Sequence, residues 1–201
     1  LLARSVLDRA AAWLLSQTGQ ETSFVFRLRM RLLNVHLDDV EFDGWPWFPG
    51  AAAWVTPTAL SILAMKKYSS AGSSPHNDRI HNRIDEGRRF LLSRRCRDGG
   101  WNHGSSKALG YDSGSYPETT GAALLALHDS SASELASAEA LAERQLPACR
   151  SMEAASWLTL GLASRGRKVD RVPRPPRNTT MELALSTLAQ AAAEGRNVFL
   201  A

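Results

Sequence analysis

Three short stretches occur twice along the chain in the same order. Residues 13–17 (WLLSQ), 43–47 (DGWPW) and 54–64 (WVTPTALSILA) are followed by 90–94 (FLLSR), 98–102 (DGGWN) and 116–127 (YPETTGAALLAL). Laying Trp45 on Trp101 and Thr58 on Thr120 also puts Leu63 on Leu125. A third unit, LAERQ at 141–145 with SWLTLGL at 156–162, lacks the glycine–tryptophan turn. Recurrence of whole segments at this scale predicts a repeat architecture, in which each unit buries its apolar face against its neighbours.

The composition says what the repeated unit is made of. The 201 residues include 29 Ala and 27 Leu against 8 Val and 3 Ile, a balance that favours helices over strands. Two cysteines, Cys96 and Cys149, are too few for a disulfide framework, and no apolar run approaches the roughly 20 residues that span a bilayer. Residues 3–16 carry an apolar stripe at Val6, Ala10, Trp13 and Leu14, which predicts a first helix with that stripe inward. A second helix runs from Pro57 to about Lys67, and a third from Asp78, with Ile80, Ile84, Gly87 and Leu91 on one face, is stopped by Gly99–Gly100. The helix opening at Pro117 is apolar nearly all round. Residues 132–147 return to the amphipathic type behind a Ser131–Glu134 capping box, 151–163 are again mostly apolar, and Asn178 caps a last helix. The alternation predicts two layers, apolar helices inside and amphipathic helices outside. Residues 24–33 (FVFRLRMRLL) fit a short strand or extended arm as well as a helix, and 18–42 form an insert in the first unit.

The charge is positive, with 24 Lys plus Arg against 20 Asp plus Glu. The basic residues cluster at Arg27, Arg29 and Arg31, at Arg83 to Arg97, and at Arg165 to Arg177. The second cluster shares a helix with Asp85 and Glu86 and reads as a solvated face; the third, within 164–178, reads as a basic proline-rich loop. No interleaved aromatic residues accompany them to stack bases, so nucleic acid is not an expected partner.

Phe90-Leu91, then Arg95, Gly99 and Trp101 at three-, three- and one-residue gaps, resembles the QW repeat of squalene–hopene and oxidosqualene cyclases, with Arg95 in the glutamine position. YPETTGAALLAL is similar to the inner-helix start of that repeat, which protein prenyltransferase β subunits share. The resemblance covers roughly 13–65 and 90–163 and implies an all-α fold, an α/α toroid of paired inner and outer helices around an apolar cavity. About seven helices make an arc rather than a ring of about twelve, so the expectation is one domain over 1–201 forming an incomplete toroid, completed by missing repeats or a partner. Independently of the resemblance, glycines at 99 and 100 permit φ > 0 in a sharp turn, Trp101 just beyond can cover the end of the preceding helix, and Arg95 can stack on Trp101. The two tryptophans read as structural staples, with ligand contact as the other reading.

Cyclases of this family protonate an alkene with an aspartic acid of a DxDD-type motif at an inner-helix start. On YPETTG the three aspartate positions hold Tyr116, Glu118 and Thr119, so Glu118 is the one candidate acid, set against the simpler role of an acidic residue favoured by the helix dipole. WVTPTA places Trp54, Thr56 and Pro57 there. Asp38-Asp39 has His36 where the first aspartate belongs and lacks the following helix. The prenyltransferase zinc positions hold Glu118, Thr120 and Ala154, so no metal and no cofactor is implied. Cys96, Asp98, His103 and Asp112 are metal-capable but match no standard zinc spacing, and His103 reads as a solvent-side turn residue. The Cys-Gly-Glu-Gln signature of complement-like thioester domains is absent, since Arg97 follows Cys96. An (α/α) barrel glycosidase would need a carboxylate pair that the inner-helix starts do not offer.

Two functions remain. One is a cyclase-like repeat protein that binds or cyclises an isoprenoid or other apolar chain, with Trp54, Tyr116 and Trp157 lining the site and Glu118, if it is an enzyme, as acid. The other is a non-catalytic helical scaffold in which the same rings fill the core. Either is expected in the cytoplasm; FVFRLRMRLL suits peripheral membrane contact of the kind these cyclases make, and equally a partly buried arm.

Overall fold

A computed structural model describes residues 3–33, 42–72, 77–105, 107–108, 111–169 and 179–200. The chain divides into two compact units, Leu1–Arg94 and Arg95–Ala201. Both are helical. The second adds a small antiparallel hairpin in which Lys107 pairs with Asp112 and Ala108 with Tyr111.

The first unit contains α1 (Arg4–Ser16), a 3-10 turn (Gln20–Thr22), α2 (Phe24–Leu32), α3 (Val55–Ser70) and α4 (Asn77–Ser93). The stretch left open between strand and helix is thus helical, capped by the Ser23 hydroxyl, which accepts from the Phe26 N–H at 3.3 Å. α3 begins two residues before Pro57. A proline in the first turn forfeits nothing there, because the first four N–H groups have no intrahelical partner. α1 is turned away from the expected stripe: Val6 and Trp13 are exposed and Ala11 is buried. Arg4, Asp8, Ala11 and Leu15 share the face toward α3. The Tyr68 hydroxyl donates to Asp8 at 2.7 Å and Arg4 lies 4.8 Å from the Tyr68 ring centroid, so polar contacts set the rotation.

The second unit contains α5 (Pro117–Ala126), α6 (Ala132–Gln145), a 3-10 turn (Leu146–Ala148), α7 (Met152–Ser164) and α8 (Thr180–Ala193). The Ser131–Glu134 capping box is present on α6. α8 has one too, formed by Thr179 and Glu182, whereas Asn178 lies outside the described residues, as do His36, Asp38 and Asp39. α4 stops at Ser93, before the glycine pair; Gly99, at φ +99°, shapes the loop beyond it.

The alternation of helix types is real. α3, α5 and α7 are buried on most sides, and residues 119–126 of α5 are buried without interruption. α4 and α6 each bury one face, through Ile80, Ile84, Phe90 and Leu91 in one and Leu135, Ala138, Leu141 and Ala142 in the other. α5 and α7 cross with their backbones touching: a Cβ on Gly121 would land inside the main chain of Trp157, and one on Gly161 would sit 2.6 Å from the Gly121 carbonyl oxygen. Small residues there allow the close approach. No helix among the described residues is long and apolar enough to cross a membrane.

Buried arginines and glutamates supply the polar framework. Arg83 was read as part of a solvated face, yet it is 7% exposed. Its guanidinium donates to the carbonyls of Asp43 (2.7 Å), Gly44 (2.8 Å) and Gln17 (3.0 Å) and lies 3.6 Å from the Trp45 ring centroid. Burial pulls its pKa below the ordinary arginine value, against the charges of Asp43 and Glu86. In the second unit Glu139, 3% exposed, accepts from Arg165 Nε at 2.8 Å and from Arg167 at 2.6 and 2.9 Å. Arg165 also donates to the carbonyls of His128 and Ser130. The visible start of the basic loop is therefore a clamp on α6; residues 170–178 lie outside the described residues.

Candidate functional site

The two repeated turns are built with the same hydrogen bonds. Trp54 and Tyr116 are the N-cap residues of α3 and α5, both in extended conformation. The Trp54 N–H donates to the Trp45 carbonyl at 3.0 Å, and the Tyr116 N–H to the Trp101 carbonyl at 2.8 Å. Four residues on, the Thr58 hydroxyl accepts from the Trp45 N–H at 2.8 Å and the Thr120 hydroxyl from the Trp101 N–H at 3.1 Å. A carboxylate fixes the residue before each cap: Glu21 accepts from the Ala53 N–H at 2.9 Å, and Asp98 from the Ser115 N–H at 3.1 Å. Both turns need glycine before the tryptophan, because a Cβ on Gly44 would sit 2.8 Å from the Thr58 hydroxyl and one on Gly100 2.6 Å from that of Thr120.

This geometry sorts the aromatic residues into two sets. Trp45 and Trp101 point inward and are 1% and 0% exposed, which supports the staple reading. Trp45 covers a helix end, a role expected of Trp101: its indole N–H donates to the Leu14 carbonyl in the last turn of α1 at 2.9 Å. Arg95 does not take the stacking role expected on Trp101; its guanidinium donates to the Glu134 carbonyl, and the close cation–ring pair is Arg83 with Trp45. Trp54 and Tyr116 face outward, 40% and 48% exposed at equivalent inner-helix starts. Trp157 does not belong with them. It lies one and a half turns into α7, half-buried and 6.4 Å from the Phe199 ring. The third unit opens α7 with Ser151 as N-cap, its hydroxyl accepting from the Ala154 N–H at 3.3 Å, and Ala155 stands where the other units have threonine.

Glu118 occupies the second position of α5 and is half-buried. Glu153 holds the same position of α7, exposed, and follows its cap by the same two residues. Cys149 lies within the electrostatic reach of Glu118. Burial first, and then that charge, push its thiol above the ordinary cysteine value. Burial likewise raises Cys96. Burial thereby favours the protonated form of both thiols.

The metal-capable residues around the second turn are engaged separately. Cys96 is buried, Asp98 accepts from the Gly100 N–H and from Ser115, His103 stacks on Tyr116 at 4.9 Å, and Asp112 pairs with Arg97 at 3.4 Å. Among the described residues no three His, Cys, Asp or Glu side chains converge on a point where a metal could bind. His103 is exposed, as a solvent-side turn residue should be.

Compared with protein-family models, with curated proteins and with solved structures, the chain matches none.

Proposed function

We propose that the chain is a helical-repeat binding protein of squalene-cyclase and prenyltransferase type, which takes an apolar, isoprenoid-like chain against the rings at its inner-helix starts. The observation that carries this reading is a repeated one: in each unit an aromatic N-cap residue, Trp54 in the first and Tyr116 in the second, is held outward by the same kind of backbone bond, although burial of either ring would gain apolar stabilisation. In this reading the inner and outer helix layers continue into the arc of an α/α toroid, and further repeats or a partner complete the ring. Glu118 then stands beside the bound chain as the one candidate acid. Protonating a carbon requires a water-shielded carboxylic acid. A half-exposed carboxylate at a helix N-terminus favours binding over turnover.

The test is incubation with squalene and with farnesyl diphosphate, followed by native mass spectrometry and product analysis. Retained ligand, weakened about tenfold or more by Trp54→Ala with Tyr116→Ala, is the expected result. Cyclised product lost in Glu118→Gln would restore catalysis to the reading, and a folded protein that retains neither ligand overturns it.

The second reading is a non-catalytic scaffold. It is favoured by the direct backbone contact of α5 and α7 at Gly121 and Gly161, which leaves no room between those two helices for a ligand. Here the exposed rings are protein contacts, and ligand-free protein in the same experiment is the outcome it requires.

A further inference from the structure

α8 completes many of its polar contacts within itself. Its first turn is closed by the Thr179–Glu182 capping box, and its end by Gly195, at φ +84°, with the Arg196 N–H donating to the Ala191 carbonyl at 2.8 Å. The Ser186 and Thr187 hydroxyls donate to the Leu183 carbonyl at 3.0 and 2.8 Å, and the Gln190 side chain donates to Glu194 at 2.8 Å. None of these bonds needs a neighbouring helix. α7 is the one extensive neighbour of α8 among the described elements. α8 buries Leu185, Ser186, Ala189 and Ala192, a single large apolar side chain among small ones.

α7 carries two buried hydroxyls on the side turned away from α5. Its backbone meets α5 around Leu158 and Gly161. Ser156 and Thr159 each stand two residues, or about 160°, from one of these. Both have no solvent exposure, and neither hydroxyl oxygen has a hydrogen-bond partner among the described residues. Asn197 Nδ2 is a third buried polar atom without a partner, in the turn that brings the Phe199 ring centroid 6.4 Å from that of Trp157. A buried polar group in this state has given up its water for nothing, and regains it when the contact opens.

We propose that residues 180–200, α8 with the turn after it, form a strap that detaches from α7 as one body and uncovers Ser156, Thr159 and Trp157. Closing gains the burial of one leucine, a few small side chains and a ring pair, whereas opening returns three polar groups to water. The two states are therefore close in free energy, and the local closure of α8 lets it leave as a helix. The other helices of the unit are held differently, α5 on α7 by backbone contact at Gly121 and Gly161, and α6 by the grip of Glu139 on Arg165 and Arg167. Elements held as weakly as α8 are those that open before the whole domain does. Freed of Phe199, Trp157 becomes a further outward ring for the apolar chain of the proposed function, a consequence that rests on that reading; the strap itself does not.

The experiment is thiol trapping of the full chain carrying Ser156→Cys, with Cys149→Ser to remove the half-buried thiol. Cys96, 4% exposed in the same unit, reports opening of the unit as a whole. After brief exposure to N-ethylmaleimide, peptide mass spectrometry should find the thiol at position 156 modified about a hundredfold faster than Cys96, as sub-global opening requires. Hydrogen exchange of the unaltered chain reads the same event without a substitution: amides 185–190 should exchange together and well ahead of those of α5. Ser156→Ala with Thr159→Val, which removes both unpartnered hydroxyls, should slow that exchange about tenfold. Equal modification of the two thiols, equal protection of α8 and α5, exchange graded from one end of α8, or exchange that the double variant leaves unslowed would each overturn the strap. Neither measurement reads ligand retention, so loss of the isoprenoid reading and loss of the strap are separate results.

Discussion

Thr58 and Thr120 each carry more of the fold than their size indicates. Both are fully buried, and each hydroxyl is the acceptor for the backbone N–H of the tryptophan in the preceding glycine–tryptophan turn, 13 residues earlier for Thr58 and 19 for Thr120. Valine is nearly isosteric but cannot accept, so a buried N–H would lose its partner at a cost of about 1–3 kcal/mol. Thr58→Val and Thr120→Val are therefore expected to lower stability by similar amounts in urea titration, and Thr→Ser at either position to restore most of it. Unequal losses would show that the two turns are alike only in sequence. Trp101→Ala, which empties a site with no solvent exposure, should cost more, about 3–5 kcal/mol, read from the same titration.

Among the elements, the crossing of α5 and α7 is the most tightly specified. In an isolated helix Gly→Ala is favourable by about 1 kcal/mol. Gly121→Ala should do the reverse here, because the new methyl group meets main chain, which cannot rotate away as a side chain can. Destabilisation beyond about 2 kcal/mol, or loss of soluble protein, is the expected outcome. A more stable Gly121→Ala protein would mean that the two helices sit further apart. α2 shows the other extreme. Its helix depends on a serine cap and a few half-buried contacts, which is why alternating Arg and apolar letters left strand and helix undecided over 24–33.

For the molecule as a whole, Glu139 ties stability to pH. Burial by itself would raise its pKa, but the hydrogen bonds and charges of Arg165 and Arg167 outweigh that and hold the carboxyl below the usual glutamate range. A carboxylate whose native pKa is depressed is a better ion folded than unfolded. Its contribution is complete above the unfolded value, about 4.5, and is lost as pH falls through the lower native value. Glu139→Gln should flatten that part of the acid unfolding curve and, by leaving Arg165 buried without its partner, cost about 3–5 kcal/mol at neutral pH. An unchanged acid transition would place the pH sensitivity elsewhere.

The alternation of apolar and amphipathic helices, the two glycine–tryptophan turns and the capping box on α6 were legible in the letters, because each rests on local physics. Burial on all sides demands apolar residues all round, a sharp turn demands glycine, and an unpaired N–H demands a nearby oxygen. The pairing of Thr58 with Thr120 and Trp45 with Trp101 could be read for the same reason. Arg83, Glu139 and Arg165 could not. Nothing within a few residues of a charged side chain says whether carbonyls distant in the chain will converge on it, and only that convergence makes its burial tolerable. The outward facing of Trp54 and Tyr116 belongs to the same class. An aromatic letter at a helix start is compatible with core or surface, and the backbone bonds that hold these two rings outward come from tryptophans 9 and 15 residues earlier in the sequence.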